Sequence, residues 1–310
     1  MSQVAICVCT YKRPAQLGHL FDSLLAVSRP PRTAFVIVDN DGQDQEVARR
    51  VDAFRQIWGG PIEYVIEPKP GISAARNAAF AAARALGVEL VAMLDDDEWA
   101  SPQWLTGLLE TRQRTGATVV GGPVFPRFPS GSNVPEKYAG LWTSKKDRLH
   151  GETFISNTSN FLVELSAIDG LGDKLFDEEF GLTGGGDVVF FRKLFFAGCK
   201  MAWCDDAVLY DDIPMHRANF TWLRRRWYRY GNAAVRWEHR VRDPRGIPPA
   251  LRTALMSLRL LVLPLIRPGV LADPVLWLLE YERVRGRLAS HLGVVFAEYE
   301  RPRTAERAAA

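Results

Sequence analysis

The sequence predicts an α/β protein with a mainly parallel central sheet and flanking helices. Two observations carry this. Short apolar runs alternate with helical periodicity from the N-terminus to about Leu94, and strand–helix alternation of this kind builds parallel sheets. Polar residues also gather where the runs end. Thr10, Asp39, Glu67–Gly71 and Asp95–Asp97 all fall at carboxyl ends of expected strands, the edge at which open α/β sheets bind ligands.

Each element has its own signal. Val4–Thr10 is apolar on both faces and reads as a buried strand. Leu17, Leu20, Phe21, Leu24 and Leu25 then follow helical spacing. Phe35–Val38 is the second strand, closed by Asp39-Asn40-Asp41-Gly42, a run rich in turn formers. Val47, Val51 and Phe54 mark a helix, and Glu63–Ile66 a third strand. Gly71-Ile72-Ser73 opens an alanine-rich helix to about Leu86, with Ser73 as its expected cap. Val88–Leu94 is the fourth strand, and Ser101-Pro102 reads as an N-cap followed by proline at the first helical position. Prolines and glycines make Pro123–His150 irregular. Asn157–Glu164 then reads as a strand, Asp187–Ala197 as a helix stopped by Gly198, and Met201–Cys204 and Ala207–Tyr210 as closing strands. A basic helix from Ala218 to about Arg242 leads through Arg245–Pro249 to an apolar and basic C-terminal part, with Arg301–Ala310 expected to fray.

The chain has 310 residues, 47% hydrophobic and 24% charged, with a net charge of +3. This suits an ordinary globular core and argues against nucleic acid as a partner. Cys7, Cys9, Cys199 and Cys204 sit mostly in apolar runs and read as buried thiols rather than a disulfide framework. No G-x-G-x-x-G follows the first strand, and no G-x-x-x-x-G-K-[ST] occurs. The N-terminus lacks a signal-like core, and the apolar run Leu260–Ile266 is too short to span a bilayer. The expectation is a cytoplasmic chain without a membrane-crossing helix.

The run Leu94-Asp95-Asp96-Asp97-Glu98 holds several carboxylates at one strand end, where like charges raise one another's pKa. A solvated acidic loop is one reading. The other is a divalent cation, Mg²⁺ or Mn²⁺, whose hard oxygen ligands are carboxylates and substrate phosphates.

Five segments decide between them: Val4–Pro14, Val36–Asn40, Pro70–Asn77, Leu94–Asp97 and Gly184–Asp187. In this order and spacing, along about Val4–Asp212, they resemble the inverting glycosyltransferases of family 2. The nearest likeness is to bacterial enzymes that build exopolysaccharide or other surface glycans. The resemblance implies a GT-A fold, a Rossmann-like mainly parallel sheet with a C-terminal helical extension. It divides the chain into a transferase domain at 1–217, with a nucleotide-sugar half (1–120) and an acceptor half (121–217), and a basic, amphipathic helical region at 218–310. It also implies roles. Thr10, Tyr11 and Arg13 line the nucleotide pocket, and Asp39 accepts from the uracil N3–H. Arg76 approaches the phosphates with Asn77 supporting it. Asp95, Asp96 and Asp97 form the acidic motif, in which Asp95 and Asp97 are metal ligands and Asp95 and Asp96 touch the nucleotide. Asp187 is the catalytic base; where many relatives carry Glu-Asp, this chain has Gly186-Asp187. His216 is a further candidate ligand, or a structural histidine near a strand end.

The implied activity is metal-dependent transfer from a nucleotide sugar, expected to be a UDP-sugar, to a saccharide or lipid-linked saccharide hydroxyl. The other class of reading is a catalytically silent nucleotide- or glycan-binding subunit. The basic, aromatic run Arg224–Tyr230 leaves three readings: single-stranded nucleic acid, an anionic membrane surface with Trp and Tyr at headgroup level, or a helix face closing over the donor or simply solvated. The apolar residues at Leu260–Ile266 and Leu276–Leu279 favour the membrane's inner face with a peripheral attachment.

Overall fold

A computed structural model describes residues 3–43, 45–144, 146–172, 174–266 and 273–297; the tail expected to fray, Arg301–Ala310, lies outside them. The chain divides into two units, Met1–Asp177 with Asp187–Trp222, and Glu178–Gly186 with Leu223–Ala310.

The first unit opens with β1 (Val4–Thr10), α1 (Pro14–Leu25), β2 (Ala34–Asp39), α2 (Gln45–Trp58), β3 (Ile62–Ile66), α3 (Ile72–Ala85) and β4 (Leu90–Leu94). After it come β5 (Glu98–Ala100), α4 (Trp104–Thr115), β6 (Val119–Gly121), β7 (Val124–Arg127), β8 (Asp147–Leu149), β9 (Glu152–Phe154) and β10 (Asn160–Glu164). The unit closes with α5 (Gly186–Phe196), β11 (Met201–Trp203) and β12 (Leu209–Asp212). The main sheet runs β11-β6-β10-β4-β1-β2-β3. All neighbours pair in parallel except β10, which is antiparallel to both β4 and β6.

Strand alternation puts β1 between two cores. Val4, Ile6 and Val8 face Leu17, Phe35 and Phe54, while Ala5 and Cys7 face Ala75, Ala79 and Phe80. Because β1, β2 and β4 are parallel and in register, with Thr10 beside Asp39 and Cys7 beside Met93, their carboxyl ends emerge along one edge. That edge is where the site residues stand.

Several expectations need correction. Ser73 does not cap α3; the N-cap position belongs to Gly71, at φ 118°, with no side-chain hydrogen bond. Ser101 is not a side-chain cap either, since α4 starts at Trp104 after Gln103 and the Ser101 hydroxyl is buried without a hydrogen-bond partner. Glu98 is the first residue of a strand, not the end of a loop. β5 pairs with β12, and β12 with β7, in a separate small sheet. Part of the irregular stretch before His150 is therefore ordered as β7, and β8 and β9 form a hairpin around its end.

The second unit holds most of α6 (Phe220–Arg240), together with α7 (Pro249–Ile266) and α8 (Val275–His291). Here α6 and α8 cross backbone to backbone. A Cβ on Gly231 would overlap the Arg283 carbonyl, and one on Gly286 the Tyr228 carbonyl. Arg287 is buried and donates both terminal nitrogens to Glu238, at 3.0 and 2.7 Å, and its Nε to Thr253 Oγ1 at 2.9 Å. Arg224 is likewise paired, with Glu282 at 2.7 Å. Part of the basic charge read from this region is thus internal.

The apolar stretch within α7 is longer than the seven residues read from sequence. At 18 residues α7 is long and apolar enough, by length and composition alone, to cross a membrane, which the seven-residue run by itself is not.

Candidate active site

Exposure alternates along Asp95–Ala100: Asp95, Asp97 and Trp99 are part-exposed, whereas Asp96, Glu98 and Ala100 are buried. The chain turns at Asp96-Asp97, with the Glu98 N–H facing the Asp95 carbonyl at 3.4 Å, and this turn sorts the four acids into a buried pair and a part-exposed pair. Adjacency in sequence conceals this.

The inward pair braces the loop. Asp96 is 4% exposed; its Oδ2 accepts from Thr10 Oγ1 at 2.7 Å and its Oδ1 from Arg13 Nη1 at 2.9 Å. Burial pushes the Asp96 carboxyl up to about 6, with Arg13 the largest opposing influence. Thr10 and Asp96, both expected to touch the nucleotide, are spent largely on one another. Glu98 accepts from the Asp95 backbone N–H at 2.8 Å, and burial, followed by the Asp95 charge, pushes its carboxyl well up.

The outward pair meets two arginines. Arg13 Nη1 reaches Asp97 Oδ2 at 2.8 Å, and Arg76 Nη2 lies 3.7 Å from Asp95 Oδ1. Burial raises the Asp95 carboxyl; Arg76 lowers it, and the charges of Asp97 and Asp187 raise it further. Asp187, in the first turn of α5, is therefore close enough to act on Asp95, although 92 positions separate them in sequence. Its Oδ1 accepts from the Val188 N–H at 2.9 Å.

The wall beyond β2 is built by hydrogen bonds. Asp39 is fully buried, accepting from Tyr64 Oη and from the Asp41 N–H, each at 2.9 Å. Asn40 clamps the loop before α3: its Nδ2 donates to the Glu67 and Lys69 carbonyls, and its Oδ1 accepts from the Gly71 N–H. Asn77 pins Phe176 through both backbone groups, and the Arg76 guanidinium lies 5.6 Å from that ring. Tyr11 is part-exposed beside Lys12, whose Nζ is 5.3 Å from the Tyr11 ring.

Among the described residues Cys9 is the thiol beside these groups. Burial pushes it up to about 12, so it stays protonated and is a poor nucleophile.

A cleft of about 400 Å³ opens beside Asp97, lined by Arg13, His19, Trp99, Asp212 and His216 among others. Trp99 Nε1 donates to Asp212 Oδ2 at 2.6 Å, and Arg127 and His19 lie near its ring, at 5.0 and 5.7 Å. The sequence placed Glu98 among the acids at the strand end without a role of its own, and gave no sign of Trp99, Asp212 or His19 as parts of this region. Trp99 and Asp212 are brought together by β5 and β12, strands of three and four residues that carry too little periodicity to be read, and His19 stands on α1.

Among the described residues no three His, Cys, Asp or Glu side chains are drawn together tightly enough to hold a metal ion. The donor chemistry nevertheless suits a hard divalent cation. Asp95 and Asp97 are outward carboxylates, His216 lines the cleft with Asp97, and burial and crowding leave the acidic edge short of positive charge. Holding a cation there requires Arg13 to yield Asp97.

Comparison with known proteins adds three findings. Residues 5–171 match the family model described as glycosyl transferase family 2. The chain is 34% identical over 232 residues to the succinoglycan biosynthesis protein ExoM of Rhizobium meliloti, covering 74% of this chain and 72% of that protein. It is 33% identical over 132 residues to a glucosyl-dolichyl phosphate glucuronosyltransferase of Haloferax volcanii, covering 40% and 39%. Among solved structures, the mannosyltransferase PcManGT of Pyrobaculum calidifontis, in complex with GDP-Man and Mn²⁺, superposes with a TM-score of 0.65 at 15% identity over 94% of this chain and 88% of that one. TarS residues 1–349 of S. aureus give 0.56 at 15% identity over 94% and 92%. These likenesses show the fold, the GT-A arrangement expected from the sequence.

Proposed function

The chain belongs to glycosyl transferase family 2 and is a glycosyltransferase, and from that premise we propose that it is an inverting, metal-dependent enzyme using a nucleotide sugar. The observation that carries the proposal is the convergence of Asp95, Arg76 and Asp187 at one sheet edge. A leaving diphosphate needs positive charge, and an attacking hydroxyl needs a base.

In this reading the donor diphosphate lies against Arg76, with Asn77 and Phe176 holding that arginine in place. Asp95 and Asp97 would hold Mn²⁺ or Mg²⁺, with His216 on the same cleft wall; the cation would supply Lewis-acid stabilisation of the leaving group. Asp187 takes the proton of the acceptor hydroxyl as its oxygen bonds to the anomeric carbon. The bond from that carbon to the diphosphate oxygen breaks on the opposite face, which inverts the anomer. Asp96 and Glu98 touch neither substrate; they hold Arg13 and the Asp95 backbone where the outward acids need them.

A uridine carrier is supported by Asp39 and Tyr64 at the end of β2 and by the UDP and UDP-GlcNAc complexes of TarS; the GDP-Man complex of PcManGT keeps guanosine carriers in the test. A saccharide acceptor is supported by the cleft lined with Trp99, Asp212 and His19, since indole faces and carboxylates suit sugar rings and hydroxyls. Likeness to ExoM supports a place in exopolysaccharide assembly, and likeness to a transferase named for glucosyl-dolichyl phosphate supports a lipid-linked acceptor at the cytoplasmic face of the membrane.

The test is nucleoside diphosphate release across UDP-, GDP- and dTDP-sugars, with Mn²⁺ or chelator, for wild type and Asp187→Asn. The expected result is metal-dependent release from one donor, reduced about 10²–10⁴-fold in the variant with donor binding retained. Unchanged transfer by Asp187→Asn refutes the assigned base. Donor binding without turnover, tested with lipid-linked acceptors present, favours the silent-subunit reading.

A further inference from the structure

We propose that the outer face of α7 docks flat on an anionic lipid bilayer. Leu251, Leu255, Leu258, Val262 and Leu265 are spaced three or four residues apart and form one stripe along the helix. All five are exposed, Leu265 at 81%. Solvent-facing helix surfaces are ordinarily polar, so a continuous apolar stripe on the outside marks an interaction face. The inward-facing residues of α7 are already engaged. Thr253 accepts from Arg287 at 2.9 Å, Leu260 is buried, and the Leu260 carbonyl accepts from Trp277 Nε1 at 3.1 Å.

Charge selects the occupant. α7 carries no carboxylate. Arg252 is turned inward, its Nη1 3.6 Å from the buried Glu238 carboxylate, while Arg259 is exposed and by helical geometry flanks the apolar stripe. Apolar side chains below, an arginine at headgroup level and no acid to repel lipid phosphates fit a helix lying in the interface of an anionic membrane. The same features argue against α7 crossing the bilayer despite its length. Arg259 sits near the middle of the helix, where a charge at mid-bilayer depth is costly, and the Arg287–Thr253 bond ties the inner face to a polar network. Two α7 stripes packed on one another would bring together two Arg259 side chains, with no acid on either α7 to pair with them.

This deepens the reading above, resting on it only in that a lipid-linked acceptor gives the surface a purpose; lipid binding itself requires no transfer. The experiment is co-sedimentation of the full chain with vesicles of phosphatidylcholine alone or mixed with phosphatidylglycerol. Wild type, Leu258→Glu/Leu265→Glu and Arg259→Gln are compared, with light scattering for mass in the absence of lipid. Wild type is expected to bind the mixed vesicles and to bind neutral ones at least about ten-fold more weakly. The double glutamate variant should lose binding to both, while Arg259→Gln weakens only the anionic component. Folding of the variants is checked by retained Mn²⁺-dependent nucleotide binding, or by far-UV circular dichroism should wild type itself bind no nucleotide. Equal vesicle binding by the double variant overturns the proposal. So does a wild-type dimer that the double variant dissociates, with neither protein binding lipid. Silence of the transfer assay alongside intact vesicle binding counts only against the catalytic reading.

Discussion

Replacing Arg13 by glutamine tests the charge balance of the acidic edge. Arg13 Nη1 lies 2.9 Å from Asp96 and 2.8 Å from Asp97. Severing a fully buried pair costs about 3–5 kcal/mol and an exposed pair about 0–1. The side chain of Arg13 is 37% exposed and that of Asp96 only 6%, which places the loss between these limits, about 2 kcal/mol at pH 8. For a unit of this size that is a fall in Tm of about 4–8 °C. The sign with pH follows from Asp96. Its carboxyl stands at about 6 in the folded protein against an ordinary 3.8, so the folded state holds a proton that the unfolded chain has released. Stability from this group is greatest below the ordinary value and falls as pH rises toward 6. Arg13 is the main influence holding Asp96 down, so the variant moves it further up and steepens the fall. At pH 5, with Asp96 largely protonated in both proteins, the difference narrows. Thermal unfolding of both proteins from pH 5 to 8, with and without Mn²⁺, measures it. If a cation occupies Asp95 and Asp97, Mn²⁺ recovers part of the loss in Arg13→Gln. Equal Tm values at pH 8, or a gap that widens toward pH 5, would refute the reasoning.

Other substitutions probe the parts that orient the site. Glu98→Ala leaves the part-buried Asp95 N–H without its acceptor, an expected loss of about 1 kcal/mol, read by urea unfolding at pH 8. Glu98→Gln keeps an acceptor oxygen and removes the charge. The wild-type Glu98 carboxyl lies above its ordinary 4.5, so its contribution to stability falls as pH rises past that value, and the glutamine variant should show a flatter pH dependence. Asn160 holds a junction of the fold, donating to the Pro123 and Ala207 carbonyls at 2.9 and 2.7 Å and accepting from Trp104 Nε1 at 2.9 Å. Asn160→Leu strands the buried Trp104 Nε1 and Ala207 carbonyl, while the Pro123 carbonyl keeps the Leu209 N–H at 3.1 Å, and is expected to cost about 2–5 kcal/mol, each orphan being worth about 1–3; a shift in urea midpoint below what 1 kcal/mol produces would show that the junction relaxes.

The parts of the fold that could be read from sequence are those where one periodicity decides. Val4–Thr10 is apolar at nearly every position, so its limits as a buried strand were plain, and the helical spacing of Leu17, Leu20, Phe21 and Leu24 left no alternative for α1. The strand ends also named the site edge, because parallel strands bring their carboxyl ends together whatever lies between them. Asn160–Glu164 shows the limit. Its buried apolar run marks a strand, but a strand covered on both faces carries no sign of direction, and β10 lies antiparallel between β4 and β6.

By itself, then, the sequence determined the element types, the sheet edge and the residue types gathered there, since these depend on spacing within ten or twenty positions. Tertiary structure alone decided which acids do what. Asp96 and Glu98 turned inward to hold Arg13 and the Asp95 backbone, Asp95 and Asp97 turned outward, and Asp187 came within reach of Asp95. Tertiary structure also turned the leucines of α7 outward, although their helical spacing would equally suit a buried stripe. Both outcomes have one physical reason. Which face of an element is buried depends on what packs against it, and those partners lie dozens of residues away along the chain.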